Sequence, residues 1–543
     1  MDNRIFDLCI IGSGPAGIIT ALEYSKLNPE KTILLVEYGK SDTVKNPLDD
    51  SIIISNLTNH HPVYECTNKK FGGSSETWGG RCVMYDEVDF IDRPIINNGC
   101  TWDLDLFEEV KKYLSQTAAY FECGEAKFNL NQIDKFEKTR IADDFDSENI
   151  SDSVVERWSM PTRFGIRYRK EIFANKNITL IEGYEARSFE KPIADGKVSL
   201  LELVDWDNKV KQIEARDFVI AAGAQESTRL LLRNLQLFKN LNDVPHSLGK
   251  YYQGHLSGKI ASVQFYGNPK KTDYAFLRDD DGIYLRRRFQ FKADYLIENN
   301  LLNTAIWLDN PLYYDPKHGS GAMSFMYMAM ITPFLGKKLA PPAIADSITK
   351  GKVENLDKHL LNIIKGFPFS ISKPAIIFFK RFMLKRKLPG VFLYSPENKY
   401  ALHFHSEQIP YEGNTITLSE DGDKLLINYT LTDDDINSVI ALHKELDQSL
   451  QKSGCGKLEY WFPEADLFNE IKKMSRDGIH QSGTTRIANS AEKGVVDRNL
   501  KIFGTANIYV CSSSVFPTSG QANPTFFLGA FAVRLAHELT YKK

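Results

Sequence analysis

The chain has no C-x-x-C pair, no internal repeat, no low-complexity linker and no large excess of charge of either sign. Each absence excludes something. Seven cysteines, scattered through 543 residues and odd in number, argue against a disulfide frame or a structural zinc site and for reduced thiols. A formal net charge of -3 gives no electrostatic reason to expect nucleic acid as a partner. No apolar run reaches the roughly 18 residues that a membrane span needs. Only Met1 to Arg4 precede the first apolar strand, so no signal peptide or twin-arginine leader is expected, and the expected location is cytoplasmic. What is present is ordinary for a soluble protein: 42% hydrophobic and 25% charged residues, over a length that asks for at least two lobes.

The most informative stretch is near the start. An apolar strand, Leu8-Cys9-Ile10-Ile11, runs into Gly12-Ser13-Gly14-Pro15-Ala16-Gly17, a helix-compatible segment follows, and a second strand ends at Glu37. This is G-x-G-x-x-G in the setting that gives it meaning, with an acid about 20 residues further on. Gly12 permits the tight turn, Gly14 lets backbone approach a pyrophosphate, and Gly17 lets the helix pack on the strand. The free N–H groups of the helix start face the phosphates, and Glu37 is placed to accept from a ribose. Dinucleotide binding is therefore expected, with Ser13, Pro15 and Ala16 in the same cradle.

Downstream, Phe71 to Arg81 holds four glycines and Trp78, too glycine-dense for a helix or strand. It reads as backbone packed against a flat ligand, more than as a free surface loop. Asp217 to Ala224 is a further apolar strand ending in glycine, followed by a helix, and reads as another part of the nucleotide-binding sheet. From about residue 256 to 470 the pattern turns to aromatic-rich strands and loops. The last seventy residues return to strand, Ser/Pro/Gly loop and helix. That last helix, opened by Asn523-Pro524, is apolar on nearly every side and must be buried. His480, alone, reads as an ordinary hydrogen-bonded histidine, and Asn523, alone, as a helix cap.

Together, several segments resemble the glucose–methanol–choline (GMC) oxidoreductases. They are the G-x-G-x-x-G unit, Gly72-Gly73-Ser74-Ser75, Ala221-Ala222-Gly223-Ala224, and a closing run from His480-Gln481-Ser482-Gly483-Thr484 through Ser514-Val515-Phe516-Pro517-Thr518-Ser519-Gly520 and Asn523-Pro524-Thr525 to Arg534-Leu535-Ala536. The resemblance is strong at both ends and weak between. It implies an FAD-dependent alcohol oxidoreductase of the pyranose 2-oxidase-like His–Asn class, with His480 as general base and Asn523 holding the substrate hydroxyl. The chemistry suits the pair: a hydride leaving an alcohol carbon for flavin N5 requires the hydroxyl proton to leave too, and a neutral imidazole can take it. It further implies that Gly72, Gly73 and Ser74 meet the pyrophosphate, that Trp78 and Gly79 lie beside the isoalloxazine, and that Ala186 contacts adenine. Ala222, Gly223, Ser513 and Ser514 also belong to the implied cofactor site. At Thr525 and Phe526 the helix start faces flavin N1 and C2=O.

The implied fold is α/β: a Rossmann-like FAD-binding domain from 1–100, 171–255 and 471–543, and an α+β substrate domain with an antiparallel sheet from 101–170 and 256–470. The substrate is expected to be a small alcohol on a sugar, polyol or glycoside, by family analogy. A sterol or lipid-linked alcohol and an FAD-containing lyase are the alternatives. A nicotinamide-dependent reductase would need a second fingerprint, which the sequence lacks. Oxygen, a quinone and a redox protein stay open as electron acceptors.

Three departures from the family pattern matter. Thr77 stands where pyranose 2-oxidase tethers its flavin through histidine, so FAD is expected to be non-covalent. Ser512 replaces a frequent aspartate. Gly254 stands where an acidic residue often precedes the histidine matching His255. His403, His405 and Glu407 share one strand face, which reads as a substrate-lobe strand, and no metal site is expected. Residues 362–387 carry seven Lys/Arg and no acid among many aromatics. The plainer reading is a helix packed on the core with its lysines in water; the other is peripheral contact with an anionic membrane.

Overall fold

The computed structural model describes residues 4–40, 51–97, 99–136, 140–332 and 354–541. The expected first unit forms as read: the strand Ile5–Ile11, the helix Pro15–Leu27 and the strand Ile33–Glu37. They belong to a seven-stranded sheet in the order Ile178–Glu182, Ile33–Glu37, Ile5–Ile11, Val210–Ile220, Leu200–Asp205, Tyr184–Phe189. The strand Ile508–Val510 adds in parallel to the end of Val210–Ile220. The central pairings are parallel, and the strands run as nearly unbroken Val/Ile/Leu stretches because helices cover the sheet. The C-terminal helix Pro524–Tyr541 packs on Pro15–Leu27. Phe526, Phe527, Phe531, Val533 and Leu535 are fully buried. Each such side chain contributes about 1.5–3 kcal/mol of apolar burial, so this helix locks the end of the chain onto its beginning.

The second sheet is antiparallel: Gly456–Tyr460, Ala261–Phe265, Lys399–Glu407, Thr304–Asp309, Phe289–Phe291 and Ile150–Ser151, with His255–Gly258 also on Lys399–Glu407. The helix Asp433–Lys452 closes over it, started by a Thr432/Asp435 capping box. The fold is thus a Rossmann-like lobe joined to an α+β lobe. Their cores interleave along the chain. Leu106, Phe107, Val110 and Phe121 enter the first core, and Ile52 and Val88 the second, so the chain crosses between lobes more often than the expected 1–100 and 101–170 boundaries imply. The glycine-dense segment does form local structure, a 3-10 turn at Gly73–Glu76 held by the Ser75 hydroxyl donating to the Gly72 carbonyl at 2.6 Å.

Candidate active site

A cavity of about 960 Å³ runs from the end of Ile5–Ile11 to the start of Pro524–Tyr541, at the upper end of the size range of ligand pockets. At one end lie Gly12, Ser13, Gly14, Pro15, Ala16 and Glu37, joined by Ala186, Ala222 and Gly223. Further along come Gly73, Ser74, Thr77, Trp78 and Gly79, and then His480, Ser513, Asn523 and Thr525.

The three glycines of the motif serve three purposes. Gly12 has a φ of +103°, and a Cβ there would meet the Ala221 carbonyl oxygen at 2.4 Å. At Gly17 a Cβ would meet the Gly12 oxygen at 2.0 Å. Gly14 has nothing within 4 Å of a built Cβ: it is open toward the cavity. Gly79 and Gly223 are open in the same way. Glu37 is buried and braces the turn, accepting from Ser13 N (3.1 Å) and Ser13 Oγ (2.6 Å) through one oxygen and from Gly39 N (2.8 Å) through the other. Burial pushes its carboxyl above the usual range, against the pull of these donors. A carboxylate offers about four acceptor positions, so one is left for a ligand hydroxyl.

Four expected contacts do not line the cavity. Gly17 lies behind the turn, as its packing role requires. Gly72, at φ +98°, backs onto Gly165. Ser514 is turned inward, its hydroxyl 2.6 Å from that of Thr485, and ties the 480s loop to the end of the last strand. The Phe526 ring packs on Phe121 and Phe128, on the side of the helix away from the face that Pro524, Thr525 and Leu528 turn to the cavity.

At the other end Asn523 Nδ2 donates to His480 Nε2 at 2.6 Å. That nitrogen is therefore an acceptor, and the ring proton belongs on Nδ1, which lies 3.4 Å from Asp477 Oδ2. The reason His480 sits there is local. Asp477 Oδ1 accepts from Ile479 N (2.8 Å) and His480 N (3.1 Å), and Gly478, at φ +114°, makes the tight turn between them. The other oxygen of Asp477 accepts from His255 N (2.7 Å) and His255 Nδ1 (3.2 Å). Burial opposes the charge on Asp477, but the His480 and His255 imidazoles hold it well below the usual carboxylate range. A Cβ on Gly254 would come within 3.0 Å of three atoms of the Asp477 side chain. The acid missing at Gly254 is thus supplied from across the chain, into the space that glycine leaves.

His405 completes the wall behind His480. Its Nδ1 donates to the Gln521 carbonyl at 2.7 Å, and its ring lies 4.1 Å from that of His255 and 5.4 Å from that of His480. Burial keeps His255 and His405 below the usual imidazole range. These three histidines bring one nitrogen each within 4.8 Å of one another, a convergence that the sequence reading did not foresee. A cation there would feel the Arg81 charge that already bears on His405 and would compete for the His480 lone pair. The strand face expected at His403, His405 and Glu407 is divided among tasks. Glu407 is clasped by Arg93 at 2.8 Å, and His403 stacks on Trp307 and bonds Ser257.

The residues fit a flavin dinucleotide. The cradle over Gly14 is open, Glu37 keeps acceptor capacity, and lining residues Asn68 and Asn523 carry buried polar atoms, Nδ2 and Oδ1, with no partner in the protein. Buried polar atoms are ordinarily satisfied, so these two mark where a ligand belongs.

A family model described as GMC oxidoreductase matches residues 410–532. Paromamine 6'-oxidase of Streptomyces fradiae is 20% identical over 98% of this chain and 91% of its own. Among solved structures, pyridoxine 4-oxidase from Mesorbium loti superposes with a TM-score of 0.50 at 15% identity, covering 98% of this chain and 99% of its own. A fungal aryl-alcohol oxidase superposes with a TM-score of 0.53 at 14% identity, covering 99% of both chains. The matched segment spans His480 and Asn523, which line the cavity, and Asp477 behind His480. Over residues 410–532 the chain is thus similar to the GMC oxidoreductases, the same family that its motifs resemble.

Proposed function

We propose that this protein oxidises a primary or secondary alcohol on a sugar, polyol or glycoside to the carbonyl, with His480 as proton acceptor. The observation that carries the reading is the pairing of a His480 Nε2 lone pair with the Asn523 amide inside the cavity that the G-x-G-x-x-G turn also lines. A hydroxyl entering between the two side chains donates its proton to Nε2 and accepts from Nδ2, which fixes the direction of its C–H bond. A bound FAD would supply the acceptor for that hydrogen and its electron pair; the hydroxyl proton is the part of the reaction that His480 holds. Asp477 is a positioning residue: it anchors the His480 backbone, favours the tautomer with the proton on Nδ1, and stabilises the imidazolium once formed. His255, kept neutral, holds the second oxygen of Asp477 in place. The sugar assignment is supported by the curated relative, named for oxidising paromamine at its 6' position. Thr77, lining the cavity where a tethering histidine would stand, supports non-covalent FAD.

The test is anaerobic mixing of the yellow holoprotein with a panel of sugars, polyols, sterols and aryl alcohols. Bleaching by a sugar or polyol is expected. Turnover without any bleaching would mean a lyase, and bleaching by sterols alone would remove the sugar assignment. Admitting air, then a quinone, identifies the acceptor.

A further inference from the structure

One surface of the molecule is inside out. The helices Leu356–Lys365 and Phe369–Phe382 pack on Gly321–Met330, yet the residues they bury are His359, Ser370 and Pro374. His359 Nδ1 pairs with Ser324 Oγ at 2.9 Å, and Ser370 Oγ donates to the Ile363 carbonyl at 2.6 Å. Ile377 and Phe378 are partly buried against the cluster of Met323 and Met326, but most of the other large apolar side chains point the other way: Ile364 and Met383 are 72% exposed, Phe369 64% and Phe379 56%. Of the twenty-seven large apolar side chains exposed among the described residues, eleven lie between Leu356 and Met383. Scattered exposed apolar residues are normal; a concentration like this marks an interaction surface. The plainer sequence reading, a helix packed on the core with its lysines in water, holds for Ile377, Phe378 and the lysines but leaves these exposed apolar side chains unaccounted for.

The charge says which partner. Residues 362–387 contain no acid. Lys365, Lys373, Lys380, Lys385 and Lys387 stand exposed on the same segment, Lys373 over the Phe369 ring, with no salt bridge to an acid among the described residues. Arg381 and Arg386 instead reach back to carbonyls of Pro389 and Trp158 and fasten the hairpin to the body. Protein partners of an apolar patch do not require a rim of one sign; an anionic bilayer does, since each lysine near it adds attraction. The fourteen residues of Phe369–Phe382 extend about 21 Å, short of the roughly 30 Å hydrocarbon core. No helix among the described residues is long and apolar enough to cross a membrane. A helix of this kind lies in the interface with its apolar face at the headgroup–acyl boundary.

We propose that the hairpin Leu356–Met383 is a docking surface for an anionic lipid bilayer, with Ile364, Phe369, Phe379 and Met383 entering the interface and the five lysines on the headgroups. The Lys387 amide donates to the Met160 carbonyl at 3.0 Å, and nearby Trp158 pairs in register with cavity-lining Arg81. Docking therefore sets one wall of the candidate active site close to the membrane, where an alcohol presented at a lipid surface would meet it. The docking inference itself does not depend on which reaction the protein performs.

Co-sedimentation of the holoprotein with vesicles tests it, using phosphatidylcholine alone and phosphatidylcholine mixed with phosphatidylglycerol. Binding to the anionic vesicles is expected to be at least about tenfold tighter than to neutral ones and to weaken with salt. Two paired variants, Ile364→Ser with Phe379→Ser and Lys373→Glu with Lys380→Glu, are each expected to weaken it about tenfold while melting temperature and flavin absorbance hold. The lipid-charge and salt dependence of the unmodified protein stands without any variant, should one fail to fold. Absence of binding to both vesicle types, or binding unaffected by both variant pairs, overturns the proposal. So does a wild-type dimer that the apolar pair converts to monomer, since the patch is then an interface between copies.

Discussion

At the nucleotide end of the cavity, one short strand–turn–helix unit and the acid after it do most of the work, and backbone is the instrument. At the alcohol end, His480, Asp477, His255, His405 and Asn523 arrive from four separate segments, and side chains are the instrument. The difference decides how each end fails. A glycine turn tolerates no added atom where it is packed and gives way only where it is open. A side-chain cluster keeps its fold when one member changes, but loses proton transfer in proportion to how directly that member touches the hydroxyl.

The sharpest way to break the contrast is His480→Ala. Turnover is expected to fall about 10²–10⁴-fold, the span of general base catalysis, with the flavin retained, as read by absorbance and steady-state kinetics. Gly17→Ala and Gly14→Val come next and should part company. A Cβ at Gly17 strikes backbone at 2.0 Å, so that variant is expected to lose several degrees of melting temperature as apoprotein, at about 1–3 kcal/mol for a forced overpacking. A Cβ at Gly14 meets open space, so Gly14→Val should melt like the parent as apoprotein but fail to take up FAD. Equal behaviour of the two would erase the distinction between packed and open glycines.

Asp477→Asn is expected to lower kcat by about 10–100-fold with little change in KM, a loss expected of an outer partner that orients the working group. Its stability effect has a definite sign. The folded pKa of Asp477 lies below the ordinary carboxylate value, so its ionised form adds stability above pH about 4, and this is lost as pH falls through the folded value. The asparagine variant should therefore melt below the parent at pH 7 and approach it as pH drops beneath about 4. Gly254→Ala should give the smallest effect of the series, a few-fold loss in kcat, because its methyl presses on the Asp477 carboxylate rather than removing it. An activity equal to the parent would mean that Asp477 does not depend on the space at Gly254.

The sequence spoke for these two ends unequally, for physical reasons. The Gly12–Gly17 turn, Glu37 and the buried C-terminal helix rest on local rules of glycine spacing and apolar periodicity, and they appear where expected. His480 and Asn523 could be singled out only by resemblance, since neither residue carries a local signature. Asp477 lies three residues from His480 but carries no signal in the sequence, because an aspartate before a glycine looks like any turn. The gap at Gly254 was visible, but what fills it was not: that contact joins residues 223 positions apart (477 − 254), and pairings of that length leave no pattern in a single chain. The hairpin at 356–383 shows the converse. Its basic, aromatic composition is legible, while the burial of His359 and Ser370 with Phe369 and Phe379 left exposed requires the packing.

The central claim is that His480, held by Asp477 and Asn523, takes the hydroxyl proton beside a bound flavin. Rapid anaerobic mixing of sugar alcohols with the yellow parent and with yellow His480→Ala tests it most directly. The account predicts bleaching of the parent and at least about a hundredfold slower bleaching of the variant. Equal rates with flavin retained, or a parent protein that is colourless and cannot take up FAD, would contradict it.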